Sequence, residues 1–196
     1  MAKKFYAVKN GRIPGIYTSW DECKAQVDGF SGPVFKGFET KDEALAFLGV
    51  ETESKKSEAE AVAYCDGSFD IKTSRFSYGV IIFWNDEKFE FSESFFDEEW
   101  SLMRNVAGEI KGAEKVFDFC VENNIKSVEL FFDYEGIEKW CTGEWKRNKK
   151  GTVDFHNKYN EISKKLTVKF TKVKGHSGNR FNDEADALAK MALGIK

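Results

Sequence analysis

No stretch of this chain approaches the ~20 consecutive apolar residues that a membrane helix requires. Its start, Met1-Ala2-Lys3-Lys4-Phe5-Tyr6, lacks the apolar run of a secretory signal. A cytoplasmic protein with no membrane span is therefore expected. Cysteine is sparse: Cys23, Cys65, Cys120 and Cys141 lie far apart with no C-x-x-C pair, so buried free thiols are expected rather than a disulfide framework. The only histidines are His156 and His176, and no Cys/His cluster competes for zinc. Positive charge is also short. Lys and Arg number 30 against 33 Asp and Glu, a net charge of -3. This argues against a nucleic-acid binder that works through global charge, so any such binding must be local.

What is present suffices for a core: 41% of the residues are hydrophobic and 15% aromatic. A length of 196 residues suits one sizeable domain with a small satellite. Residues 51–60, ETESKKSEAE, hold no aromatic and no large aliphatic side chain and read as a solvated linker between domains at 1–50 and 61–196. In the first, strands are expected at Phe5–Lys9, Gly15–Thr18 and Val34–Phe38. Ser19 or Asp21 opens a helix to Val27, and Thr40 with Glu43 has the capping-box spacing for a second helix to Leu48. The result is a ββαβα unit.

The second part opens with strand-like runs at Ala61–Asp66, Phe76–Trp84 and Lys88–Phe96. Ile110, Ala113, Phe117, Cys120 and Val121 recur at helical spacing within Ala107–Val121. A strand at Ser127–Asp133, a short helix through Ile137 and Trp140, and a basic segment, Trp145 to Lys150, follow. Val153–Leu166 reads as a helix, Val168–Val173 as a strand and Asn182–Leu193 as the last helix. The order βββαβαβα predicts an α/β fold, a mixed five-stranded sheet flanked by helices.

Asp66 follows the apolar run AVAYC and precedes Gly67-Ser68, while Asp133 ends a second run, VELFF. Both are expected at the C-terminal edges of strands, where α/β folds collect ligands. Either alone could be a turn residue. Glu109 lies in the first turns of the long helix, where a carboxylate also complements the dipole. Asp186 follows Asp183 and Glu184 on the face of Asn182. Such crowded negative charge calls for compensation, and two divalent cations held by several carboxylates could activate water and stabilise a leaving phosphodiester oxygen. Oxygen ligands suit magnesium.

The segments YCDGS (64–68), NVAGE (105–109), LFFD (130–133), VKGHSG (173–178) and NDEADALA (182–189) together resemble the ribonuclease H type 1 family, in its order, over residues 61–196. The resemblance implies that Asp66, Glu109, Asp133 and Asp186 ligate two magnesium ions, with manganese a substitute. It also implies that His176 assists proton transfer or product release. Residues 4–48 resemble the hybrid-binding domain attached to many of these enzymes. By that likeness Trp20 and Phe35 pack on the DNA backbone and Tyr6 and Lys36 contact its phosphates. The Gly29–Gly32 turn would offer N–H groups to RNA 2'-hydroxyls. Taken alone, Trp20 could equally be a core residue.

Three departures from the family stand out. Gly37 replaces a frequent second lysine; Arg104-Asn105-Val106 replaces Thr-Asn-Asn or Thr-Asn-Gln; and the basic handle shrinks to Trp145 through Lys150, where Trp145 and Lys146 are candidates for substrate contact. The implied activity is hydrolysis of the RNA strand of RNA/DNA hybrids to 5'-phosphate and 3'-hydroxyl ends by a monomer, with Asn105 reading 2'-hydroxyls. Double-stranded RNA is a further ligand expected of the first domain. Two rivals are a non-catalytic binding module for hybrids or double-stranded RNA and a DNA-directed nuclease of the same fold.

Overall fold

A computed structural model describes residues 5–39, 44, 47–48, 57–173 and 179–195. Contacts divide the chain into two units, residues 1–56 and 57–196. Residues 57–60, expected in the linker, are tied into the second unit. Glu60 N–H donates to Ser127 Oγ at 3.0 Å, and its carboxylate accepts from Lys126 N–H at 2.8 Å.

The first unit is an antiparallel three-stranded sheet in the order β2-β1-β3, from β1 (Phe5–Asn10), β2 (Gly15–Tyr17) and β3 (Val34–Phe38). Its helix α1 (Trp20–Val27) starts where the sequence requires. Ser19 Oγ accepts from Glu22 N–H, and the Glu22 carboxylate accepts from Ser19 N–H. Val8, Cys23 and Val27 form its small core. Ala44, Phe47 and Leu48 are helical; Thr40 and Glu43, the expected cap of that helix, lie outside the described residues.

The second unit is a mixed sheet in the order β6-β5-β4-β7-β8. Strands β4 (Ala61–Asp70), β5 (Arg75–Trp84) and β6 (Glu87–Phe95) form an antiparallel meander; β7 (Ser127–Phe132) and β8 (Thr167–Lys172) add in parallel. Asn85 and Asp86, both at positive φ, close β5 onto β6 as a two-residue hairpin loop. A short helix, α2 (Glu98–Ser101), not expected from the sequence, precedes α3 (Asn105–Glu122), and α4 (Gly136–Thr142), α5 (Lys150–Ile162) and α6 (Arg180–Ala192) complete the unit. No described helix is long and apolar enough to cross a membrane. All four cysteines are free and buried.

Helices α3 and α6 sit on opposite faces of the meander, each seated by glycine. A Cβ on Gly67 would lie 2.3 Å from Asn105 O in α3, whereas one on Gly79 would lie 2.0 Å from Ala185 O in α6. Gly67 pairs with Tyr78 and Gly79 with Asp66, so strand alternation sends them to opposite sides. Ser77, buried, donates its hydroxyl to Ala189 O at 2.6 Å and locks α6 down. Ile110, Phe117, Leu130, Phe132 and Phe155 fill the space between the sheet and α3 and α5.

Candidate active site

Asp66 does not end its strand. Strand β4 continues to Asp70 because its antiparallel partner β5 keeps bonding it, Asp66 opposite Gly79 and Asp70 opposite Arg75. Its parallel partner β7 pairs with it only through Tyr64 and Phe131. Asp66 thus stands just beyond the last rung of the parallel part, and Asp133 directly follows β7. The close approach of α3 at Gly67 then brings in Glu109 from the second turn of that helix.

Ligand oxygens of Asp66, Glu109 and Asp133 lie within 4.8 Å of one another. Asp66 and Glu109 are buried. Asp66 Oδ1 accepts from Gly67 N–H at 2.7 Å, while among the described residues Glu109 Oε2 has no hydrogen-bond partner. Burial first, then the charges of Asp133 and Asp186, push the Asp66 carboxyl up to about 7. Burial, then Asp66 and Asp133, hold the Glu109 carboxyl well above the usual carboxylate range. A buried carboxylate oxygen without a donor, beside two more carboxylates, is the electrostatic signature of a site that takes a cation. An all-oxygen donor set fits a hard divalent ion.

Asp186 lines the same cavity from α6. It stands outside the three-residue group, and its Oδ2 lies 2.6 Å from Lys190 Nζ. Asn179 caps α6, accepting from Asn182 N–H, which starts the helix two residues earlier than expected. His176 lies outside the described residues.

Asn105 and Arg104 line this cavity and also the adjoining cleft that contains Lys146, Asn148 and Lys149. Arg104 holds φ 55° and ψ -133° in its place before α3, a backbone region that favours glycine. Such strain costs roughly 1–3 kcal/mol and gathers at functional sites. Exchanging Arg104 for glycine forfeits about 0.5–1 kcal/mol of chain entropy, so Arg104→Gly is expected to stabilise the protein by roughly 1 kcal/mol in urea unfolding. Trp145, partly exposed, meets Tyr134 and Trp140 edge-on at 6.4 and 5.9 Å. His156, for which no role was expected, ties α5 to α4 through Nδ1 and the Trp140 carbonyl at 2.8 Å. A histidine one helix away from its acceptor leaves no signal in sequence spacing.

In the first unit Tyr6, Trp20 and Phe35 gather on one face, with ring centroids 5.6 and 5.8 Å apart. Trp20 is 44% and Phe35 38% exposed, so this tryptophan is not core. Gly37 leaves room beside Tyr6, its nearest atom 3.3 Å from an added Cβ. Lys36 points to the other face of β3, its Nζ 5.4 Å over Phe38.

Comparison with known proteins agrees with both units. Residues 4–48 match the model for the ribonuclease H1 N-terminal domain, and residues 58–194 that for RNase H. Ribonuclease H1 of Rattus norvegicus is 27% identical over 252 residues, covering 95% of this chain and 88% of that protein. The RNase H1 of Halobacterium salinarum superposes with a TM-score of 0.57 at 21% identity, over 68% of this chain and 97% of that one. LC11-RNase H1, solved in complex with an RNA/DNA hybrid, gives 0.55 at 18%, over 68% and 96%. With its carboxylates gathered beyond the parallel strands of an RNase H-like sheet and the family model matched from 58 to 194, the chain belongs to the RNase H family and carries a ribonuclease H1 N-terminal domain ahead of that fold.

Proposed function

We propose that this protein is an endonuclease that hydrolyses the RNA strand of RNA/DNA hybrids, using two magnesium ions for which manganese can substitute, and leaves 5'-phosphate and 3'-hydroxyl ends. The observation that carries this reading is the buried trio of Asp66, Glu109 and Asp133, with an unpartnered Glu109 oxygen, inside an RNase H fold. Asp66, Glu109, Asp133 and Asp186 would hold the cations. Divalent cations bound there supply Lewis-acid stabilisation of the phosphodiester and an acidified water. The protein's own groups orient the substrate. Asn105, at the start of α3 beside the acids, would meet a ribose 2'-hydroxyl, the group that separates RNA from DNA. Arg104, Lys146 and Trp145 would hold the DNA strand along the adjoining cleft. His176 keeps the role implied by family likeness, proton transfer or product release.

The face formed by half-buried Tyr6 with exposed Trp20 and Phe35 would dock on the sugar-phosphate backbone of a hybrid or of double-stranded RNA, since aromatic faces grip nucleic acid without reading sequence. With one alanine substitution at a stacking aromatic costing about 1–3 kcal/mol, Trp20→Ala should weaken hybrid binding by roughly tenfold or more. Its cleavage at saturating substrate should stay close to native. Equal binding by native and Trp20→Ala protein in a fluorescence anisotropy titration would remove that face from the account.

The activity itself is tested by incubating strand-labelled RNA/DNA hybrid, duplex DNA and duplex RNA with magnesium. Cleavage confined to the RNA strand of the hybrid, with products that a 5'-phosphate-dependent exonuclease degrades, is expected. Cleavage of duplex DNA would move the protein to the DNA-directed enzymes of this fold.

A further inference from the structure

The four carboxylates are not treated alike by the fold. Among the described residues, Asp66, Glu109 and Asp133 form no ion pair, whereas Asp186 pairs with Lys190, one helical turn further along α6. The Asp186 carboxylate is largely enclosed, its side chain only 18% exposed, whereas the Lys190 side chain is 41% exposed. Both residues line the cavity that holds the other three acids. Resting on the metal-dependent reading above, we propose that Lys190 is an internal counter-cation that holds Asp186 and competes with a divalent cation for that carboxylate.

A carboxylate oxygen occupied by an ammonium group is not available to a metal ion, and an ion brought beside it meets a like charge. A cation held by Asp66, Glu109 and Asp133 escapes this competition. One that relies on Asp186 must displace Lys190, whose flexible four-carbon stem and partial exposure let the ammonium swing away. The site would therefore take up two cations with unequal affinity, and Lys190, a positioning residue, would set the weaker of them.

The test is calorimetric titration of manganese into the full-length protein without substrate. Lys190→Met should bind the weaker manganese ion about tenfold more tightly than native, the size of effect expected from removing one nearby charge in a partly screened site. Lys190→Arg, which keeps the pair, should match native. Asp186→Asn and the Asp186→Asn/Lys190→Met double variant should match each other. The proposal is overturned if Lys190→Met binds manganese as native does while Asp133→Asn loses binding, because the metal site then stands without a role for Lys190. It is also overturned if the gain survives in the Asp186→Asn background. Manganese binding that is absent in the native protein, or unchanged in Asp133→Asn, overturns the metal-dependent reading together with this proposal.

Discussion

Asp66→Asn is expected to lower hybrid cleavage by about a thousandfold or more and, in metal-free buffer at pH 8, to raise the melting temperature. The first effect follows from losing a ligand to cations that contribute several kcal/mol to the transition state, with each ~1.4 kcal/mol worth tenfold in rate. The second follows from the electrostatics of the cluster in metal-free buffer. Asp66 is raised to about 7 and Glu109 well above its ordinary value, both chiefly by burial. The folded state therefore binds these protons more tightly than the unfolded chain. The Asp66 contribution to stability is full below the unfolded carboxylate range near ~4 and is lost as pH rises through about 7. At pH 8 the metal-free protein carries a buried Asp66 charge that asparagine removes. A gain of about 1 kcal/mol shifts melting by roughly 2–4 °C for a chain of this size. The gap between variant and native should close near pH 5, well below the raised value of Asp66. Manganese should raise the melting temperature of the native protein far more than that of the variant. An Asp66→Asn variant that melts lower than native at pH 8 in chelator would contradict the charge-crowded cluster.

The second large effect concerns the glycines that seat the helices. A Cβ on Gly79 would stand 2.0 Å from Ala185 O and 2.7 Å from Ala189 N, both backbone atoms of α6; one on Gly108 would stand 1.9 Å from Ser77 O. No side-chain rotation relieves either clash, so the helix must move off the sheet. Gly79→Ala is expected to cost ~3 kcal/mol, the upper end for overpacking, and to reduce cleavage as well, because α6 carries Asp186. Gly194, with φ at 70° but open space around its missing Cβ, is the control: Gly194→Ala should cost only about 1 kcal/mol, from strain alone. Urea unfolding midpoints separate the two. Equal destabilisation would mean that α6 does not press on β5 as described.

Both predictions depend on features that the sequence revealed unequally. The apolar runs before Asp66 and Asp133 announced the two central strands, and the 3.6-residue rhythm from Ile110 to Val121 announced α3. The end of β4 was not legible in the same way: alternation stops at Asp66, but the strand continues to Asp70 because β5 supplies its rungs. Helix α5 begins at Lys150, earlier than its apolar periodicity suggests. Gly151 lies against Met103 and Trp100, and Thr152 exchanges hydrogen bonds with the Lys149 backbone. Tertiary packing and a local cap, rather than periodicity, set that boundary. At the site, residue types and order pointed to four carboxylates. The pairing of Asp186 with Lys190 was visible as an i,i+4 spacing, yet its position inside the cavity depends on α6 resting on Gly79. The positive φ of Arg104 could not be read from an arginine at all, since that conformation is imposed by the corner between α2 and α3. Trp20, ambiguous in sequence, was settled by its exposure beside Tyr6 and Phe35.

Cleavage of a strand-labelled RNA/DNA hybrid in magnesium, native protein against Asp133→Asn, tests the central claim most directly. The account predicts that the native protein cuts only the RNA strand, and that Asp133→Asn binds the hybrid with near-native affinity but does not cut it. A native protein that binds the hybrid and never cuts it with any divalent metal, or an Asp133→Asn variant that cuts as well as native, would contradict the account.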